Sequence, residues 1–130
     1  MPLYARKKPT QIGTPNARTF AAATAYQATD PTVASIVSLN LTSTATISLS
    51  GGTTNSAQVV IGPTNAVASG TGAIIGLYSN TNTGTLTIGL NLSTVSAVPI
   101  TFVLPAGWYM AWRITAGTVT ATSAYDQSLS

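Results

Sequence analysis

The chain offers very few side chains with which to do chemistry. It has no histidine and no cysteine, and its two acidic residues are Asp30 and Asp126. A serine or threonine nucleophile needs a neighbouring base, which here would have to be Lys7, Lys8 or an aspartate, and a glycosidase needs two facing carboxylates. We interpret Asp30 as a residue of an Asp-Pro turn and Asp126 as a solvated charge close to the C-terminus. The sequence therefore predicts no catalytic residue, no metal site and no cofactor.

The basic residues are concentrated at one end of the sequence. Four of the five lie in the first 18 positions, namely Arg6, Lys7, Lys8 and Arg18. Between positions 31 and 125 the only charged side chain is Arg113, which we expect to pair with an aspartate or to reach a neighbouring subunit. Net charge keeps soluble proteins apart, so such a neutral body suits a protein whose surface is mostly covered by partners.

The pattern of apolar residues predicts strands. Hydrophobic residues make up 45% of the chain, and long stretches alternate between apolar and polar positions, which is the period of a strand. The alternation runs through 37–49 and is cleanest over 85–92, whereas 93–98 is expected to be a loop and the prolyl-glycyl segment 104–107 a turn.

About eight short strands at this spacing favour a sandwich. We predict an all-β, two-sheet sandwich of jelly-roll type. Its expected core includes Leu39, Ile47, Val59, Leu90, Phe102 and Trp112.

Residues 1–16 are predicted to form an extended basic docking arm, and 17–130 a single β-sandwich domain. Prolines at 2, 9 and 15 forbid helix continuation and favour extended backbone. Leu3, Tyr4 and Ile12 would supply apolar anchors, and the cations at 6–8 would be attracted to an acidic surface. Residues 18–26 are expected to form the first strand of the domain, with a short helix as the alternative.

Two tryptophans allow two interpretations. Trp108 and Trp112 share one face of a predicted strand and could form an aromatic platform for a sugar. Because Met110 and Ile114 have the same parity, packing in the core is the better interpretation. Tyr109 and Arg113 would then lie on the opposite face.

Several partners are disfavoured by the sequence. Three adjacent cations give only weak, salt-sensitive binding to nucleic acid, so we do not expect nucleic acid as a partner. The apolar runs are too short to span a membrane. No export signal follows the cations at 6–8, because the next residues are rich in proline and threonine instead of apolar.

Four segments resemble small virion proteins of tailed bacteriophages: PTQIGTP at 9–15, YQATDP at 26–31, LPAGWY at 104–109 and SAYDQS at 123–128. Among such proteins, the chain is most similar to jelly-roll capsid cement, or decoration, proteins. The resemblance implies a subunit that is assembled in the host cytoplasm, lies on the exterior of the virion and ties major capsid proteins together. We expect it to bind the major capsid protein and copies of itself, as a homodimer or homotrimer. A tail-tip or fibre-associated phage protein and a carbohydrate-binding β-sandwich module remain alternatives.

Overall fold

The computed structural model describes residues 11–48, 51–83 and 92–130, with only the backbone of Leu92. These ranges contain eight strands, one short 3-10 helix (η1) and no α-helix, so the predicted all-β class is confirmed. The elements in chain order are β1 Asn16–Arg18, β2 Ser35–Ser48, β3 Gly51–Gly52, β4 Thr54–Gly62, η1 Asn65–Ser69, β5 Ala73–Thr81, β6 Leu92–Leu104, β7 Tyr109–Ala116 and β8 Thr120–Ser128.

The strands form two antiparallel sheets. The five-stranded sheet has the order β1-β8-β2-β3, with β6 paired to β2, and the three-stranded sheet has the order β5-β4-β7. The chain passes from one sheet to the other after β3, β5, β6 and β7. The predicted two-sheet sandwich is therefore confirmed. A jelly roll has eight strands in total, arranged as two Greek keys. That finer type stays a prediction.

The core lies between the sheets. Leu39 and Val59 have no exposed surface and Trp112 is only 4% exposed, as predicted. Phe102 is half-buried and packs against this cluster, and Ile47 is half-buried near the end of β2. Leu90 lies outside the described residues. Burying one side chain of this size contributes about 1.5–3 kcal/mol, so the apolar side chains between the sheets hold the two layers together.

Side chains of β5 close one side of the sandwich. The Tyr78 hydroxyl donates to the carbonyl of Ser96 at 2.8 Å and lies 2.7 Å from the Ser43 hydroxyl. The Asn80 amide donates to the carbonyls of Thr94 and Ser43 at 3.0 and 3.1 Å. Since Ser96 and Thr94 belong to β6, these bonds link the edge strands of the two sheets.

The loop predicted over 93–98 is wrong, because this segment is the first half of β6. Its polarity is inverted: Val95 is 70% exposed, while Thr94 and Ser96 lie opposite the buried Ala45 and Ser43 of β2. Pro99 follows within the strand. Proline is tolerated in an edge strand, where its missing N–H is not needed.

The two ends of the described chain lie side by side. Gln11 and Ser130 exchange backbone hydrogen bonds of 2.9 and 3.0 Å, and the Gly13 N–H donates to Ser128 at 2.7 Å. β1 continues this ladder along β8. Of the predicted arm, residues 1–10 lie outside the described residues and 11–16 run along β8.

The strand predicted over 18–26 is also wrong, because β1 ends at Arg18. Ala23 adopts a positive φ of 55°, which turns the chain. Residues 19–34 then cross to the three-stranded sheet, where Tyr26 and Met110 exchange backbone hydrogen bonds of 2.9 and 2.8 Å. This crossing segment closes the second side of the sandwich.

Candidate functional site

Asp126 is a buried charge. Its side chain is on β8, opposite the core residue Val37 of β2, and the residue is 1% exposed. The carboxylate accepts hydrogen bonds from the Thr29 N–H at 2.8 Å, the Thr29 hydroxyl at 3.0 Å and the Asn16 amide at 3.2 Å. It also forms an ion pair with Arg18. The interpretation of Asp126 as a solvated charge was therefore wrong, because strand parity turns it inward.

Two elements position the partners of this carboxylate. β1 places Asn16 directly opposite Asp126, and the crossing segment supplies Thr29. The Arg18 guanidinium lies 5.1 Å from the ring centroid of Phe20 and donates to the Gln27 carbonyl at 3.1 Å. The cluster therefore fastens β1 and the crossing segment to β8.

Electrostatics agree with a structural role for Asp126. Burial acts to raise the pKa of Asp126, but hydrogen bonds from Thr29, Asn16 and Arg18 outweigh it and hold the pKa below its ordinary value. The group is thus an ionised acceptor whose bonding capacity is used within the fold.

The second carboxylate has a local role. Asp30 is exposed and accepts hydrogen bonds from the Thr32 hydroxyl at 2.6 Å and the Thr32 N–H at 3.1 Å, which also lower its pKa. The predicted turn at Asp30 is confirmed. Within 11–48, 51–83 and 92–130, no three His, Cys, Asp or Glu residues are grouped closely enough to hold a metal ion.

Trp112 belongs to the core. Its indole Nε1 donates to the Phe20 carbonyl at 2.7 Å, and neighbouring Met110 is 1% exposed. The core interpretation is confirmed for these two residues, and Trp108 is half-buried and packs against the same cluster. The prediction fails at Ile114, which is 40% exposed because it lies near the end of an edge strand.

Arg113 has no acidic partner. The ion pair predicted with Asp30 or Asp126 is wrong, because Asp30 bonds to Thr32 and Asp126 to Arg18. The buried Nε of Arg113 has no hydrogen-bond partner among the described residues. Its guanidinium packs against Gly70, which ends η1 with a φ of 94°, so a side chain at position 70 would collide with it.

The structure describes only two of the predicted docking residues. Leu3, Tyr4, Arg6, Lys7 and Lys8 lie outside the described residues. Ile12 is 62% exposed and pairs with Leu129 beside β8. Arg113 lies on the other sheet, so the structure does not bring these two residues together.

We did not predict from the sequence that large apolar side chains would be exposed on the outer faces of both sheets. Leu77 is 75% and Ile74 54% exposed on the three-stranded sheet, and Val95 is 70% and Val103 54% exposed on the five-stranded sheet. The sequence of β5 indicated this exposure. Isoleucine or leucine occupies both faces of the strand, which gives more apolar surface than one core can cover.

A cleft of about 290 Å³ opens where β8 stops pairing with β2 and before β3 begins. Its lining is Thr42, Ser43, Thr44, Thr118 and Thr120. Ligand sites combine apolar walls with a few orienting polar groups, and this lining offers hydroxyl groups without an aromatic or charged side chain. We assign it no role.

No protein family, no curated protein and no solved structure matches the chain at a significant level. Among the described residues, the fold contains no helix of the length and hydrophobicity needed to cross a membrane. The surface and charges of the chain itself are therefore the features that bear on its function.

Proposed function

We propose that this chain is a non-enzymatic structural protein of a virion, a cement or decoration subunit that binds major capsid proteins and stabilises the head. One observation carries the proposal: both outer faces of the sandwich expose large apolar side chains on a surface with almost no charge. Leu77 and Val95 are the most exposed of them. Such a surface favours association and suits a subunit covered by neighbours.

The charge inventory favours an acidic partner other than a second copy. The whole chain has five basic and two acidic residues, and Asp126 is already neutralised by Arg18. A second copy could therefore offer the cations of the arm few acidic side chains other than the exposed Asp30. The cations at 6–8 fit an acidic patch on a different protein, which we propose to be the major capsid protein.

The resemblance of four segments to small proteins of phage virions supports the same proposal, and jelly-roll connectivity is proposed with it. A carbohydrate platform built on both tryptophans receives no support from the geometry, because Trp112 is buried and its Nε1 is bonded to Phe20.

Fractionation of particles tests the proposal. Particles carrying this chain are separated into heads and tails, and the copies of the chain per copy of major capsid protein are counted by quantitative mass spectrometry. We expect the chain in the head fraction at a fixed ratio to the major capsid protein. Recovery only with tails would establish the tail alternative, and absence from both fractions would overturn the virion assignment.

A further inference from the structure

Three residues form a row across the outer face of the three-stranded sheet. Gln58 on β4 lies in register with Leu77 on β5 and with Arg113 on β7. Their chain neighbours Ala57, Tyr78 and Trp112 are buried in the core, so the row faces away from it. We call Leu77, Gln58 and Arg113 the outer row.

The adjacent part of this face is covered, whereas in the outer row Leu77 is exposed and Gln58 and Arg113 are half-buried. Val60 and Ala111 lie in register beside it and are fully buried beneath Val67 of η1. No such cover lies over Leu77, which is 75% exposed. The guanidinium of Arg113 at the other end is placed by Gly70.

The charge of Arg113 is unpaired within the described part of the chain. No ion pair or hydrogen bond of its guanidinium to a described residue is found, and its buried Nε lacks a partner. A buried donor without a partner destabilises the fold. A carboxylate that reached the accessible N–H groups of this guanidinium would balance its charge and could bind two N–H groups at once.

We propose that the outer row is a docking surface for an acidic side chain of the capsid protein, with an apolar neighbour of that side chain packing on Leu77. This inference rests on the proposed function and names the surface involved. Arg113 binds the carboxylate, Gln58 offers an amide beside it, and Leu77 supplies the apolar contact.

The occupant is a different protein rather than a second copy, again because of charge. Asp30 is the one carboxylate side chain that a second copy exposes among its described residues. The backbone N–H and the hydroxyl of Thr32 already donate hydrogen bonds to Asp30. Each copy also carries a net charge of +3, which opposes the association of two copies.

The test uses purified particles that lack this chain as the probe. The full-length protein is added back, and its affinity for the particles is measured by cosedimentation. We expect Arg113→Gln and Leu77→Ser each to weaken binding about tenfold or more, as for truncation of one partner in a hydrogen-bonded charge pair. Arg113→Lys should be intermediate, because it keeps the charge and loses the fork of donors.

Thr122→Ala is the control, since Thr122 is exposed on β8 of the other sheet and belongs to neither the outer row nor the apolar surface; it should bind like the unaltered protein. Thermal midpoints of all variants show whether they are folded. If Arg113→Gln is not folded, the affinity of Leu77→Ser for the particles tests the docking surface.

The outcomes separate the two proposals. If the unaltered protein does not bind the particles, the proposed function fails. If it binds and both the Arg113→Gln and Leu77→Ser variants bind equally well, the docking surface is overturned. If Arg113→Gln instead abolishes an oligomer in sedimentation velocity and Asp30→Asn does the same, the occupant is a second copy, and the proposed partner is wrong.

Discussion

Arg18 and Asp126 are 108 positions apart in sequence and form an ion pair inside one end of the sandwich. The pair joins the first strand to the last. It also holds the crossing segment through Thr29. The only buried carboxylate thus has a role in assembling the fold from its two ends.

Replacing the buried carboxylate should destabilise the protein. In Asp126→Asn, Arg18 loses its counter-charge and Thr29 loses its ionised acceptor, which we expect to cost about 2–3 kcal/mol. Denaturant unfolding followed by circular dichroism measures the loss. Asp30→Asn is the control, because Asp30 is exposed, and its unfolding midpoint should be unchanged. Equal stability of the two variants would show that the ion pair does not support the fold.

The same pair predicts an acid-sensitive fold. The pKa of Asp126 is lowered in the folded state, so its contribution is present above the unfolded pKa of about 3.9 and is lost as the pH falls through that value toward the folded pKa. The thermal midpoint should therefore fall more steeply between pH 5 and pH 2, a range of about three units around that pKa, than it does in Asp126→Asn. The pKa of Asp30 is lowered in both proteins, so its effect on the thermal midpoint cancels when their two pH profiles are compared. Parallel pH profiles would contradict this prediction.

The hydrogen bond of the Trp112 indole should stabilise the fold in addition to the contribution of its buried aromatic surface. Trp112→Phe leaves the buried Phe20 carbonyl without its donor, and we expect a loss of about 1–3 kcal/mol in the free energy of unfolding. Trp108→Phe is the matched change at a half-buried tryptophan and should cost less. A glycan that bound the unaltered protein and was lost on Trp108→Phe would revive the carbohydrate-binding alternative.

The arm should contribute to binding and not to folding. Deleting residues 1–8 should leave the thermal midpoint nearly unchanged and weaken incorporation into particles. Deleting 1–16 should also lower the midpoint, because it removes the ladder at Gly13 and the bond from Asn16 to Asp126.

Alanine at positions 6, 7 and 8 should reproduce part of the binding loss. Its difference from the unaltered protein should shrink at high salt, where charges are screened. An arm deletion to residue 8 that unfolds the domain, or that incorporates normally, would show that this interpretation is wrong.

The sequence predicts the fold best where one face of a strand is uniformly apolar. β2 is continuous from Ser35 to Ser48, and its alternation places Leu39 in the core. In the first half of β6, Thr94 and Ser96 lie opposite the buried Ala45 and Ser43 while Val95 is exposed, so the same rule fails. The predicted turn is also displaced: Trp108 donates to Pro105 at 3.1 Å, and Gly107, with a φ of 76°, takes the third position.

The roles of the charged residues were harder to predict because they depend on contacts distant in sequence. Nothing near Asp126 in the chain indicates Arg18 as its partner. Leu77 is exposed because η1 lies over β4 and β7 and not over β5, which local periodicity does not encode. Residue types limited the chemistry, but the topology decided which charge was buried and which was left open.

The ladder between Gln11 and Ser130 determines how the protein would respond to mechanical load. Gln11 and Ser130 are paired neighbours in an antiparallel ladder, so a force that pulls these two residues apart would open the hydrogen bonds one pair after another instead of shearing them together. Peeling would begin at Gln11, pass Gly13 and meet its first strong resistance at Arg18 and Asp126. A subunit held by its first residues could therefore lengthen its tether under strain while its sandwich stayed folded.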